Sequence, residues 1–279
     1  MSKLRSAIFY LKKPSYWPHF QQKLLKPFLP NLDTHAHRAK AIQWARQRAM
    51  PLPDALAQLG IITDRGAMLP AMSDQLMQRA MENARRSGCA MGGPGYIELI
   101  FAAARLTGAR RAVETGVAYG WSSLALLAAM QGSGGRLISV DRPYPGAGNE
   151  PFVGIAVPDE LRKNWTIVRE PDRHGLRKAV AGFPDGIDIA HYDSDKSYRG
   201  RMYAYPILWN ALGPGGIFIS DDIQDNMAFA AFVDTRRLSF AVSTAGGKYV
   251  GIAIKPGARD AVHASPIAPP RHPPPRPPR

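Results

Sequence analysis

Asp193-Ser194-Asp195-Lys196 follows one apolar run, and Asp221-Asp222 closes another, Gly216-Ile217-Phe218-Ile219-Ser220. If those runs are neighbouring strands of a parallel sheet, both acid clusters fall at carboxyl ends, where such sheets bind ligands. Asp193, Asp221 and Asp222 then offer three hard oxygen donors of the kind Mg²⁺ takes, with water and substrate oxygens completing an octahedron. Such an ion lowers the pKa of a bound hydroxyl. Lys196, three residues past Asp193, could take the released proton if burial lowers its own pKa. The alternative is structural. Strand-end acids also sit in solvent or cap helices, as Asp221 or Asp222 could, and Lys196 would then only neutralise Asp193 or Asp195.

A second set of candidates lies upstream, in Arg111–Leu126. Val113 suits a short buried strand, Gly116 stands where the strand must stop, and Gly120 allows close backbone approach. Ser122 and Ser123 offer N-cap oxygens to the helix that follows. The turn is neither Gly-x-Gly-x-x-Gly nor a phosphate loop. Glu114 just before it disfavours a pyrophosphate and suits a ligand carrying positive charge, such as an amine or sulfonium. Asp141 ends the next strand, where a carboxylate accepts from both hydroxyls of a ribose. Glu170 and Asp172 follow the third strand, near where an adenine would lie. Each of these acids has a solvated-loop alternative.

The elements that must hold these residues alternate. Strands are expected at Ala112–Thr115, Arg136–Asp141, Trp165–Arg169, Ile187–Asp193 and Gly216–Ser220, with helices at Ser122–Met130, Leu176–Ala181 and Tyr198–Leu212. Apolar strands alternating with helices imply a parallel sheet covered on both faces. Leu238–Thr244 and Lys248–Lys255, joined by Ala245-Gly246-Gly247, read as a hairpin. The expected fold is therefore α/β: a Rossmann-like, seven-stranded, mostly parallel sheet with a terminal antiparallel hairpin. Residues 91–256 would form this domain, behind a helical appendage or lid over residues 1–90. Helix-favouring stretches there run from Thr34 to Leu59, broken by Pro51 and Pro53, and from Ser73 to Arg86, with a further one from Ile97 to Leu106. Residues 1–30 mix aromatic and basic residues and read as an arm on the domain, or alternatively as an interfacial segment. Residues 257–279 are rich in proline and arginine and read as a solvated, polyproline-like tail. His191 reads as a core histidine, Tyr198 as packing at its helix start, and Asp33, His35 and His37 as a surface turn. Tyr119 and Trp121 border the ligand or fill the core.

The chain of 279 residues carries a formal charge of +14, which raises nucleic acid or anionic surfaces as partners. The charge is unevenly placed, however. Lys3, Arg5, Lys12, Lys13, Lys23, Lys26, Arg38 and Lys40 precede residue 41 with Asp33 as the only acid, and Arg271, Arg276 and Arg279 lie in the tail. A single cysteine, Cys89, excludes an internal disulfide and a zinc ribbon. No apolar run has membrane-span length, and no secretory signal is read at the start, so a cytoplasmic enzyme is expected.

The glycine turn, the acid at Asp141 and the hairpin together resemble the class I S-adenosylmethionine-dependent methyltransferases, from about Gly93 to Lys255. The resemblance implies S-adenosylmethionine as cofactor, bound by Glu114, Gly116, Val117, Gly120, Ser123, Asp141, Asp172 and Asp193. Asp193, Lys196 and Asp221 are further similar to the metal-dependent O-methyltransferases of the catechol and caffeoyl-coenzyme A type. Asp222 stands where that group has asparagine. The Asp-Asp pair is more similar to metal-dependent sugar O-methyltransferases of antibiotic pathways, some of which use a histidine base. This likeness implies Mg²⁺ at Asp193, Asp221 and Asp222, Lys196 as base, a small hydroxylated acceptor and a chain able to form a homo-oligomer. A Rossmann-type oxidoreductase is the rival enzyme, disfavoured by the missing third glycine and the hairpin. An RNA-binding protein or RNA-directed methyltransferase ranks lower, because no aromatic-basic RNA motif is present.

Overall fold

The computed structural model describes residues 29–257 except 144–147 and 246, together with positions 14, 17, 21 and 25. The basic arm and the proline-rich tail lie largely outside the described residues. In chain order the elements are α1 (His35–Arg46), β1 (Ala49–Met50), α2 (Leu52–Gln58), α3 (Asp74–Arg86), α4 (Ile97–Leu106), β2 (Arg111–Thr115) and α5 (Trp121–Ala129). They continue with β3 (Arg136–Val140), α6 (Asp159–Arg162), β4 (Trp165–Val168), α7 (Asp172–Ala181), β5 (Ile187–Tyr192), α8 (Tyr198–Ala211) and β6 (Leu212–Ser220). The last are α9 (Ala228–Arg236), β7 (Ser239–Ala245) and β8 (Lys248–Ile254).

Among the described residues these form one eight-stranded sheet, ordered β1-β7-β8-β6-β5-β2-β3-β4. The strands from β6 to β4 run parallel, and β8 pairs antiparallel with both β6 and β7. The strand beyond the expected seven is β1, which pairs Ala49 with Val242 and Met50 with Ser243 at the sheet edge. Sequence reading placed it inside a helix. Pro51 disfavours helical geometry in the residue before it and favours extended backbone, so Met50 is free to add to an edge.

Side-chain alternation along the strands builds two cores. Ala112, Leu137, Ile189 and Ile217 face α2–α5, whereas Val113, Ile138, Ala190 and Phe218 face α7–α9. The helices α2 and α3 join the first core through Ala55, Leu56, Ala80 and Ala84, all buried. Ser73 fixes where α3 begins by accepting the N–H of Leu76 at 3.3 Å, a cap contributing about 1 kcal/mol. Helix α9 has no polar stripe, because Phe232 and Val233 bury one side while Ala228, Phe229 and Ala230 bury the rest. Sequence reading missed it for that reason. No helix among the described residues is long and apolar enough to cross a membrane.

Candidate active site

The carboxyl ends of β2, β3, β5 and β6 open on one cavity of about 1510 Å³. Gly116 (φ 83°) turns the chain sharply after β2, and a Cβ there would lie 2.1 Å from the carbonyl oxygen of Asp193. The strand-end backbones of β2 and β5 therefore meet at a glycine, with the Asp193 N–H donating to Thr115 O at 2.9 Å. Gly120 (φ 87°) is the N-cap of α5, and no side chain caps that helix. The expected serine caps are absent because both hydroxyls face Glu114. Ser122 donates to Glu114 at 2.8 Å, Ser123 donates to it as well, and Ser139 joins them at 2.6 Å.

Glu114 is thus fully buried beneath the turn and does not line the cavity. It was expected to face a cationic ligand. Its cationic neighbour is instead His191, whose Nδ1 lies 3.9 Å away. Gly120 and Ser123 also stand behind the wall, whereas Gly116, Val117, Asp141, Asp172, Asp193, Lys196, Asp221 and Asp222 line it. Asp141 accepts the N–H of Val117 at 3.0 Å through Oδ1. Its Oδ2 is ion-paired with Arg169, which also reaches Glu150 Oε2 at 2.6 Å. Sequence reading missed Arg169 although it directly follows a strand; its partner lies a strand away, so no local spacing marks the pair.

In the cavity wall, Asp172 starts α7 and accepts a hydrogen bond from the Ser194 hydroxyl. Burial pushes its pKa up to about 6, against the lowering effect of that bond. A carboxyl raised above its unfolded value makes the fold less stable as pH climbs between those values. Asp172→Asn is therefore expected to stabilise the protein at pH 7 by about 1–3 kcal/mol, with the gain vanishing below about pH 4, where both folded and unfolded carboxyls are protonated. Thermal unfolding of the two proteins across pH 3–8 checks both the gain and its disappearance.

At the other end, β5 and β6 bring the acid clusters side by side. Asp193 Oδ1 and Asp221 Oδ1 are buried without a hydrogen-bond partner. Burial, and then the nearby Asp221, push Asp193 up to about 6. Asp222 departs from the expected arrangement. It adopts the left-handed region (φ 51°, ψ 40°) and turns its carboxylate to Lys196 on one oxygen and Lys248, at 3.3 Å, on the other. Burial alone would raise its pKa, but Lys196 and Lys248 hold it below the usual carboxylate range. Among the described residues no group of three or more His, Cys, Asp or Glu side chains is placed to hold a metal ion.

Lys196 corrects its expectation too. Burial works to lower its pKa, but Asp193 at 3.5 Å and the ion pair with Asp222 raise it overall. It rests as a cation, not as a free base. His191 is buried, as expected of a core residue, yet it borders the cavity with Nε2 3.5 Å from Asp221 Oδ1. Burial opposes its charge, but Asp221 and Glu114 overcome that and raise its pKa to about 10. Asp33 is no simple surface turn. Its Oδ1 accepts the N–H of Tyr198 at 2.7 Å and Asn226 Nδ2 at 2.9 Å, and Asn226 also donates to Lys196 O at 2.8 Å. This latch sets Leu29–Asp33 in the cavity wall, which Met91, Trp121 and Val250 also line. Trp121 therefore borders the cavity, while Tyr119 packs behind it through its hydroxyl on Cys89 O.

Residues 113–223 match a family model described as a methyltransferase domain. The chain carries a methyltransferase domain. That stretch holds the Gly116 turn, Asp141, Asp172 and both acid clusters. Solved structures of similar fold include the O-methyltransferase from Bacillus cereus in complex with SAH, at 17% identity and TM-score 0.52, covering 67% of this chain and 94% of that one. The O-methyltransferase TomG from Streptomyces achromogenes, involved in tomaymycin synthesis and in complex with SAM, gives 19% and 0.51, covering 68% and 93%. A methyltransferase from Geobacter sulfurreducens gives 16% and 0.52, covering 68% and 92%. At such identities the likeness is one of fold, and it agrees with the Rossmann-like sheet expected from sequence. Comparison with curated protein sequences finds no match.

Proposed function

We propose that the protein transfers a methyl group from S-adenosylmethionine to a hydroxyl oxygen of a small molecule. One observation carries this reading: the Gly116–Val117–Asp141 crevice and the Asp193–Lys196–Asp221 cluster open on the same cavity. The residues suit the cofactor. Backbone without a side chain at Gly116 leaves room beside Val117, and Asp141 and Asp172 both line the cavity; on this reading Asp141 would accept from the ribose hydroxyls and Asp172 would lie near the adenine. When bound, the cofactor supplies an electrophilic methyl carbon on a sulfonium.

A divalent cation would be held by two carboxylates rather than three. Asp193 Oδ1 and Asp221 Oδ1 make no hydrogen bond, with Lys196 and His191 each 3.5 Å away, and so fit it better than Asp222, which two lysines hold more closely. Asp193 and Asp221 would hold the ion, which would supply acidification of an acceptor hydroxyl. Lys196, resting as a cation, stabilises a developing alkoxide or phenoxide by its charge, and acts as base only after losing its own proton. The cavity walls would hold acceptor and donor together, and such alignment supplies a large share of a transfer barrier.

Calorimetric titration with S-adenosylhomocysteine and, separately, with NAD(H) tests the cofactor assignment. Binding of the former alone is expected, and binding of only the latter would sink the reading. Asp141→Asn is expected to weaken S-adenosylhomocysteine by about tenfold, the loss of one charge-assisted hydrogen bond. An unchanged affinity would remove Asp141 from the ribose site. If Asp193→Ala and Asp221→Ala bind Mn²⁺ as the parent protein does, the cation site is wrong.

A further inference from the structure

Arg201 is among the largest fully buried side chains, 1% exposed, and among the described residues no carboxylate lies within ion-pair distance of it. A buried guanidinium needs hydrogen bonds in place of water, and this one finds them on two successive backbone carbonyls and two side-chain hydroxyls. Its Nη1 donates among the carbonyl of Asp221 at 3.0 Å, Ser220 Oγ at 3.2 Å and Tyr205 Oη at 2.9 Å. Its Nη2 donates to the carbonyl of Asp222 at 3.0 Å. Nε–H is left buried without a partner, so the side chain is placed for its far end.

What it grips is the turn after β6. Asp222 there is a non-glycine residue in the left-handed region, which costs free energy and persists only where the surroundings enforce it. Two donors enforce it, since Asp222 O accepts from Asp225 N at 3.0 Å as well as from Arg201. We infer that Arg201 is a positioning residue: by binding both carbonyls of the Asp221–Asp222 turn, it aims the two carboxylates into the cavity. The turn then presents Asp221 beside Asp193 and brings Asp222 onto Lys196 and Lys248. Arginine suits the role because its planar fork addresses two carbonyls at once from the first turn of α8, whereas a lysine offers one point. The consequence for catalysis rests on the proposed methyl transfer; the positioning itself does not.

Lysine footprinting reads the effect directly, because pairing with Asp222 suppresses attack by the Lys196 amine on an acetylating ester. Lys196 is half-exposed and open to the reagent, and Lys178, paired with Glu170 beyond the edge strand β4, serves as internal control. In Arg201→Met and Arg201→Gln, acetylation of Lys196 by acetyl N-hydroxysuccinimide is expected to rise about tenfold, the loss of one charge-assisted contact. Lys178 reactivity should stay at the parent value, and Arg201→Lys should fall between. Unchanged Lys196 reactivity in a variant that unfolds cooperatively would overturn the inference. So would a parallel rise at Lys178, which marks general loosening and a mere core strut. Should the Met and Gln variants fail to fold, Arg201→Lys keeps the charge and carries the same comparison. The readout needs neither cofactor nor acceptor, so its failure is separate from failure of the S-adenosylhomocysteine titration.

Discussion

His191→Leu is expected to destabilise the protein by about 3–5 kcal/mol, the cost of leaving buried charge uncompensated. The imidazole lies between two carboxylates of different origin, Glu114 at the end of β2 and Asp221 at the end of β6, at 3.9 and 3.5 Å. Glu114 is wholly buried, and its other neighbours are three serine hydroxyls, which donate hydrogen bonds but carry no charge. Leucine matches histidine in bulk, so a cavity is not the cause of the loss. Urea unfolding at pH 7 measures it. His191→Gln, which keeps donors but not charge, separates hydrogen bonding from charge: a Gln variant as stable as the parent would show that charge is not what His191 supplies.

The second large effect is at Gly116. Gly116→Ala is expected to cost about 2–5 kcal/mol, adding left-handed backbone strain to an overpacked contact. A Cβ at 2.1 Å from Asp193 O meets main chain rather than a flexible side chain, so the neighbour cannot swing away. Relief requires parting β2 from β5 where Asp193 N bonds Thr115 O. S-adenosylhomocysteine affinity should fall with stability, because the same displacement moves Val117 and Asp193. Gly215 makes the control: it also has positive φ, at 76°, but its Cβ would meet nothing within 4 Å. Gly215→Ala is expected to cost only about 1 kcal/mol, the backbone term alone. Equal losses at both glycines, in the same unfolding measurement, would refute the steric account.

The two variants show what could be read along the chain and what could not. Gly116 was legible, because a strand running into a glycine turn and then a helix has a local signature, and the turn proved to need glycine. The alternation of apolar strands and helices likewise gave the sheet, the hairpin and the edge on which Asp141, Asp193 and Asp221 fall. Local signals failed where partners come from different strands. Glu114 reads as a free acid beside a turn until Ser139, from β3, and His191, from β5, close around it. Asp222 reads as a third metal donor until Lys196 and Lys248, on other elements, claim both its oxygens. Lys196 reads as a base until those acids raise its pKa.

The sequence by itself determined the order of elements, the turn that needs glycine and the sheet edge where chemistry can occur, because periodicity and backbone sterics act over a few neighbouring residues. Only the tertiary structure decided which carboxylate lines the cavity and which is turned to a cation. Charge interacts through space across strands far apart in the chain. The electrostatics of Glu114, His191, Asp222 and Arg201 therefore exist only once β2, β5, β6 and α8 have come together.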